Sequence, residues 1–161
     1  MNIKSGIAKL VTVTGMVLSL AAGQVTAAPA NNDHDHGHGA MELRLDDGSK
    51  WAVDAPLSRA MNNIRSAMHN EIDAIHSGEL TQEKYLALAK KINQEVTYMV
   101  ENCKLEPEAD AQLHLIISQL MEGSAAMENN ANARAGAVKV VGAMENYATY
   151  FDDPDFTAIK H

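Results

Sequence analysis

A chain of 161 residues with 13 basic and 21 acidic side chains carries a formal charge of −8 at pH 7. That balance argues against a nucleic-acid partner, whose phosphates need a basic surface, and against anionic lipid. It suits capture of a soluble cation, although an acidic excess also serves simply to solvate a surface.

Residues 1–27 read as an export signal. Lys4 and Lys9 give a positive start, Leu10 to Ala22 is apolar, and Val25-Thr26-Ala27 offers small residues before a cut after Ala27. The apolar run is shorter than the roughly 17 to 25 residues that cross a bilayer, and no longer run comes after it. The expectation is a protein exported to the periplasm with no membrane span in its mature form. Without Lys4 and Lys9, 11 basic residues face 21 acidic ones, a charge of about −10. Cys103 is the single cysteine, so no internal disulfide can form and the fold rests on its apolar core. The thiol is open to three roles: buried small hydrophobe, intermolecular disulfide or soft metal ligand.

Residues 28–40, APANNDHDHGHGA, hold no large apolar side chain, so the sequence predicts a disordered His-rich arm. Residues 41–54 alternate Leu43 with Leu45, turn at Asp46-Asp47-Gly48-Ser49, then alternate Trp51 with Val53. This pattern predicts a short hairpin or an extended lid, with Trp51 packed on the helical region after it.

Four helices are predicted over residues 55–152. In the first, from Pro56 to Ser77, Leu57, Met61, Ile64, Met68, Ile72 and Ile75 recur at steps of three and four, with Asp54 as start signal and Gly78 as stop. The second, from Gln82 to Asn102, comes after Thr81 and carries Tyr85, Leu88, Ile92, Val96 and Met99, its stripe running on to Cys103. Pro107 opens the third, with Glu108 and Asp110 in its first turn favouring the positive end of the dipole. Leu113, Ile116 or Ile117, Leu120 and Met127 line its inner face. The fourth, from Ala133 to Phe151, carries Ala137, Val140 or Val141, Met144, Tyr147 or Ala148, and Phe151, with Pro154 after its end. Connections this short favour antiparallel neighbours, so the expected fold is all-α, an antiparallel up-down-up-down four-helix bundle. Residues 153–161 form a C-terminal tail.

Two groups of residues could ligate a metal. Asp33, His34, Asp35, His36 and His38 offer three imidazoles and two carboxylates on a chain that Gly37 and Gly39 allow to bend, a donor set suited to Cu(II), Ni(II) or Zn(II). The competing reading is a hydrophilic tether. His69, Asp73 and His76 share one strip of the first helix, although the two histidines lie about 10 Å apart along its axis, so one ion is more easily held by Asp73 and one of them. A solvated flank would show the same residues.

Met61, Met68, Met99, Met121, Met127 and Met144 also fall within the helices. Thioethers are soft ligands for Cu(I), with Cys103 as a further donor, but methionine at core spacing is also ordinary packing material. His114 lies four residues after Asp110 as a boundary pair. Covalent haem is excluded because Cys-x-x-Cys-His is missing, and the helices show no Glu-x-x-His pairs for a di-iron site. A noncovalent haem held by Met61 and His114 is a disfavoured third reading. The chain has no nucleophile elbow and no Gly-rich phosphate loop, and is read as not an enzyme.

Two segments carry a resemblance. Leu45-x-x-Gly48-x-x-Trp51-x-x-Asp54-x-Pro56-Leu57, running on to Met61, Ile64 and Arg65, and Asn102 to His114, NCKLEPEADAQLH, resemble the DnrO-like family of small exported bacterial helical proteins. The similarity covers residues 42–150 and implies an exported helical domain preceded by the Trp51 lid. It assigns no catalytic residue, and the His-rich arm lies outside it. The functional expectation is a non-enzymatic periplasmic protein that buffers or delivers copper or zinc through the arm. The alternative is a protein-protein interaction module for a periplasmic partner, with the arm as spacer.

Overall fold

The computed structural model of the chain describes residues 42–159. Their elements are β1 (Trp51–Ala52), α1 (Ala55–Ser77), α2 (Gln82–Asn102), α3 (Pro107–Glu128), α4 (Ala133–Tyr150) and β2 (Phe151–Asp152). Each helix packs on the next in sequence, and α4 packs back on α1. The expected arm, and with it Asp33, His34, Asp35, His36 and His38, lies outside the described residues, as does the expected export signal.

Helix α1 starts and stops where local chemistry dictates, whereas Thr81 makes no side-chain cap bond at the start of α2. At α1 the Asp54 carboxylate accepts a 2.9 Å hydrogen bond from the Leu57 amide, and Pro56 occupies the first turn, where a missing N–H costs nothing. Gly78 ends it at φ 75°, in the left-handed region, donating to Ala74 and Ile75 carbonyls. The predicted stripe is the buried one: Leu57, Met61, Ile64 and Met68 are fully buried. Each contributes about 1.5–3 kcal/mol by leaving water. The stripes of α2, α3 and α4 turn inward in the same way, with Tyr147 and Phe151 the bulkiest fully buried side chains.

Two expectations need correction. Asp46 and Ser49 exchange both backbone hydrogen bonds across a two-residue turn, with Asp47 at φ 46° and Gly48 at φ 91°. That is the turn expected of Asp-Gly. The second limb does not return along Leu43 and Leu45, however. Trp51 and Ala52 pair in parallel with Phe151 and Asp152, 100 residues away. Phe151 is accordingly not the last residue of a helix but the first of β2. The reason is burial: Trp51 and Phe151 both enter the core from paired strands, whereas a free hairpin would leave the indole half wet.

The Trp51 segment is fastened at three further points. The indole N–H donates to the Arg44 carbonyl at 2.6 Å, the Arg44 amide donates to the buried Gln112 side chain at 2.8 Å, and Lys50 donates to the Ala148 carbonyl at 2.7 Å. The lid is therefore a fixed part of the folded body rather than an independent flap.

Candidate functional site

The histidine strip on α1 is present but does not form a cage. His69, Asp73 and His76 are all exposed along the one helix. Among the described residues no group of three or more His, Cys, Asp or Glu side chains is arranged to hold a metal ion. The spacing explains this, because one straight helix carries the first and last of the three about 10 Å apart, and no facing element among the described residues supplies the donors to complete a site.

The soft donors are inside. Met61, Met68, Met99, Met127 and Met144 are each 0% exposed, and among the described residues only Met121 of the helical methionines reaches solvent, at 52%. Cys103 is half-buried just after α2. Burial, then the neighbouring Asp54 carboxylate with its hydrogen bond to the thiol, then Asp110, push the Cys103 pKa up to about 12. A thiol held in that state is a poor nucleophile and a poor ligand, since the thiolate is the reactive form. His114 is exposed, with Nδ1 2.9 Å from the Asp110 backbone carbonyl oxygen and 3.4 Å from the Asp110 carboxylate. Met61 is sealed in the core while His114 lies on the surface, so the two candidate haem ligands do not share an environment.

The polar groups that the fold does bring together join the start of α1 to the ends of α2 and α4. Asp54 serves two partners: Oδ1 caps α1, and Oδ2 accepts from the Lys104 amide at 2.7 Å. Close by, the Asp153 carboxylate accepts from Tyr147 Oη at 2.8 Å on one oxygen and from Ser58 Oγ at 2.9 Å on the other, where the Asp155 amide also donates at 3.1 Å. Burial first, and then Asp153, raise the Tyr147 pKa above the usual tyrosine value. The phenol ring stacks on Phe151 at 5.2 Å and meets Phe156 edge-on at 4.9 Å. Arg65 donates to the Thr157 carbonyl and holds the C-terminal segment against α1.

This clasp is not legible as a site in the sequence. Its only local signal is Asp54 as a helix start, while the pairing of Asp153 with Ser58 spans 95 positions. Its carboxylates are occupied by structural donors, so they seat the chain end rather than a substrate. A cleft of about 440 Å³ opens beside it, lined by Trp51, Asp54, Lys104, Glu106 and Glu108 among others. Its charged lining residues are acidic apart from Lys104.

No protein-family model matches this chain, and no curated protein or solved structure matches it either.

Proposed function

We propose that this chain is a non-enzymatic metal-binding protein of the periplasm, which holds copper or zinc through Asp33, His34, Asp35, His36 and His38 for buffering or delivery. The observation that carries this reading is the sequence DHDHGHG itself, three imidazoles and two carboxylates within six positions, next to a segment with the pattern of an export signal. In this reading the helices form an antiparallel up-down-up-down bundle that serves as a stable body for the arm. Ties at both ends support that arrangement. Gln82 at the start of α2 donates to carbonyls at the end of α3, and Arg134 at the start of α4 donates to the His76 carbonyl at the end of α1. At the other end, Asp54 joins the start of α1 to Lys104 after α2. The resemblance to the DnrO-like family supports an exported helical domain and leaves its task open.

Frozen-solution electron paramagnetic resonance of the Cu(II)-loaded full chain tests the ligand set. The expected spectrum shows splitting from two or three imidazole nitrogens, lost when His34, His36 and His38 are all replaced by alanine. The same spectrum in the triple variant would remove the arm from the reading.

A second reading is favoured by a different observation. Leu86 and Val100 on α2, Met121 on α3 and Val138 on α4 are large apolar side chains left 45%, 67%, 52% and 62% exposed. In that reading the arm is a spacer and the chain docks a protein partner.

A further inference from the structure

The turn before Trp51 holds a reactive pair of groups that neither metal binding nor partner docking uses. We propose that Asp47 is a modification site, at which the side chain condenses with the Gly48 backbone nitrogen to a cyclic imide and reopens to isoaspartate, and that this change loosens the limb around Trp51. Gly48 is the only glycine in the sequence that follows an aspartate or an asparagine, so its nitrogen alone can attack with no Cβ beside it.

The fold leaves both reacting groups open. The two main-chain hydrogen bonds of the turn are donated by the Asp46 and Ser49 amides, so the Gly48 amide takes part in neither. Asp47 is exposed, and its carboxylate has no hydrogen-bond or ion-pair partner among the described residues. The space around Gly48 is empty too, since a Cβ built there would meet nothing within 4 Å. At φ 46° Asp47 occupies the left-handed region that L side chains rarely adopt, so leaving the turn releases strain instead of adding it.

The other described aspartates lack one half of the pair. Asp54 and Asp153 have both carboxylate oxygens engaged, and Pro154 offers no N–H after Asp153. Asp73 and Asp110 lie within helices, which fix the amide that would have to attack. After Asp155, the Phe156 amide is held by the Asp153 carbonyl. Asp46 and Asp152 each precede another aspartate, whose Cβ crowds the nitrogen.

In the first step the Gly48 nitrogen adds to Cγ of the protonated Asp47 carboxyl. The N–Cγ bond forms, and the amide hydrogen leaves with the carboxyl hydroxyl as water. Water then cleaves either N–C bond of the imide. Cleavage at Cγ restores aspartate, whereas cleavage at the Asp47 carbonyl carbon leaves the main chain running through Cγ, longer by a methylene. No electrons are transferred, and water is the only other reactant. The longer link no longer fits a two-residue turn, so Asp46 and Ser49 lose their paired bonds. The tie from the Trp51 indole N–H to the Arg44 carbonyl spans this turn and weakens with it. The pairing of Trp51 with Phe151 lies outside the turn and keeps the change local.

The test ages the folded full chain in warm neutral buffer, methylates it with an isoaspartyl methyltransferase and a labelled methyl donor, and places the label by peptide mapping. The expected result is label first in the peptide that contains residue 47, and its loss in Asp47→Glu, whose longer side chain closes the ring far more slowly. Trypsin should also cut the aged chain sooner than the fresh one after Arg44 and Lys50, as a loosened limb requires. Label that appears first at another described residue, or at residue 47 only in urea, would overturn the proposal. Equal trypsin sensitivity of a labelled and a fresh chain would overturn its structural half. If Asp47→Glu disturbs the fold, the site mapped on the parent chain decides alone.

Discussion

Replacing Gly136 with alanine should destabilise the protein by about 3 kcal/mol, the upper end of what overpacking costs. A Cβ at this position would lie 2.5 Å from the Gly123 carbonyl oxygen and 2.6 Å from the Met127 amide nitrogen. Both are backbone atoms of α3, which cannot swing aside as a side-chain tip can. The two helices must separate, and the buried residues on either side of the crossing lose contact together. Alanine's better helix propensity returns only about 1 kcal/mol of that cost. Gly142, in the same helix, is the control, because a Cβ there meets nothing within 4 Å. Gly142→Ala should stabilise by about 0.5–1 kcal/mol through the same propensity effect. Urea unfolding of the two variants checks both signs. Equal midpoints for Gly136→Ala and the parent would mean that α3 and α4 do not approach so closely.

The second large effect is expected at the clasp. Asp153→Ala should cost about 3 kcal/mol, because it leaves the buried Tyr147 hydroxyl without its acceptor and releases Ser58 at the same time. Tyr147→Phe removes donor and desolvation cost together and should lose less, about 1.5 kcal/mol. The double variant should fall close to Asp153→Ala alone, since the two side chains share one interaction. The raised pKa of Tyr147 adds a pH signature. The unfolded chain gives up the phenol proton near the ordinary value of about 10, before the folded chain does, so stability falls as pH rises past that point. Tyr147→Phe should flatten this alkaline slope. Additive losses in the double variant and an unchanged slope would contradict the role given to the Asp153 bond.

Distance along the chain separates the features legible in the sequence from those hidden in it. The stripe from Leu57 to Ile75 announces α1 because helical neighbours lie three and four positions apart, and Asp54 and Gly78 mark its ends by rules that act within one turn. The turn at Asp47-Gly48 is legible for the same reason. The pairing of Trp51 with Phe151 is not, because nothing local to either segment names a partner so far away, and Phe151 also fits the helical period of α4. Gly123 and Gly136 look like weak points in two helices until the structure shows their backbones in contact. In the sequence Asp54 is a helix start alone. Its second partner, the Lys104 amide, becomes visible only when α1 and α2 are placed side by side.

The candidate site divides along the same line. Counting donors in DHDHGHG needs no fold, whereas the strip of His69, Asp73 and His76 depends on a facing donor that a single helix cannot promise. The structure leaves those three exposed along α1, in no metal-holding group of three or more donors among the described residues. The methionine pattern is ambiguous for a physical reason, since a thioether at core spacing packs as well as it ligates, and burial decides which it does.

The most direct test of the central claim is a Zn(II) titration by calorimetry, comparing the full chain with the variant in which His34, His36 and His38 are alanine. The arm reading predicts binding by the full chain and an affinity lower by about 100-fold or more in the variant. Replacing His69 and His76 instead should leave the isotherm unchanged. Indistinguishable isotherms for the full chain and the triple variant would contradict the claim that the arm holds the metal.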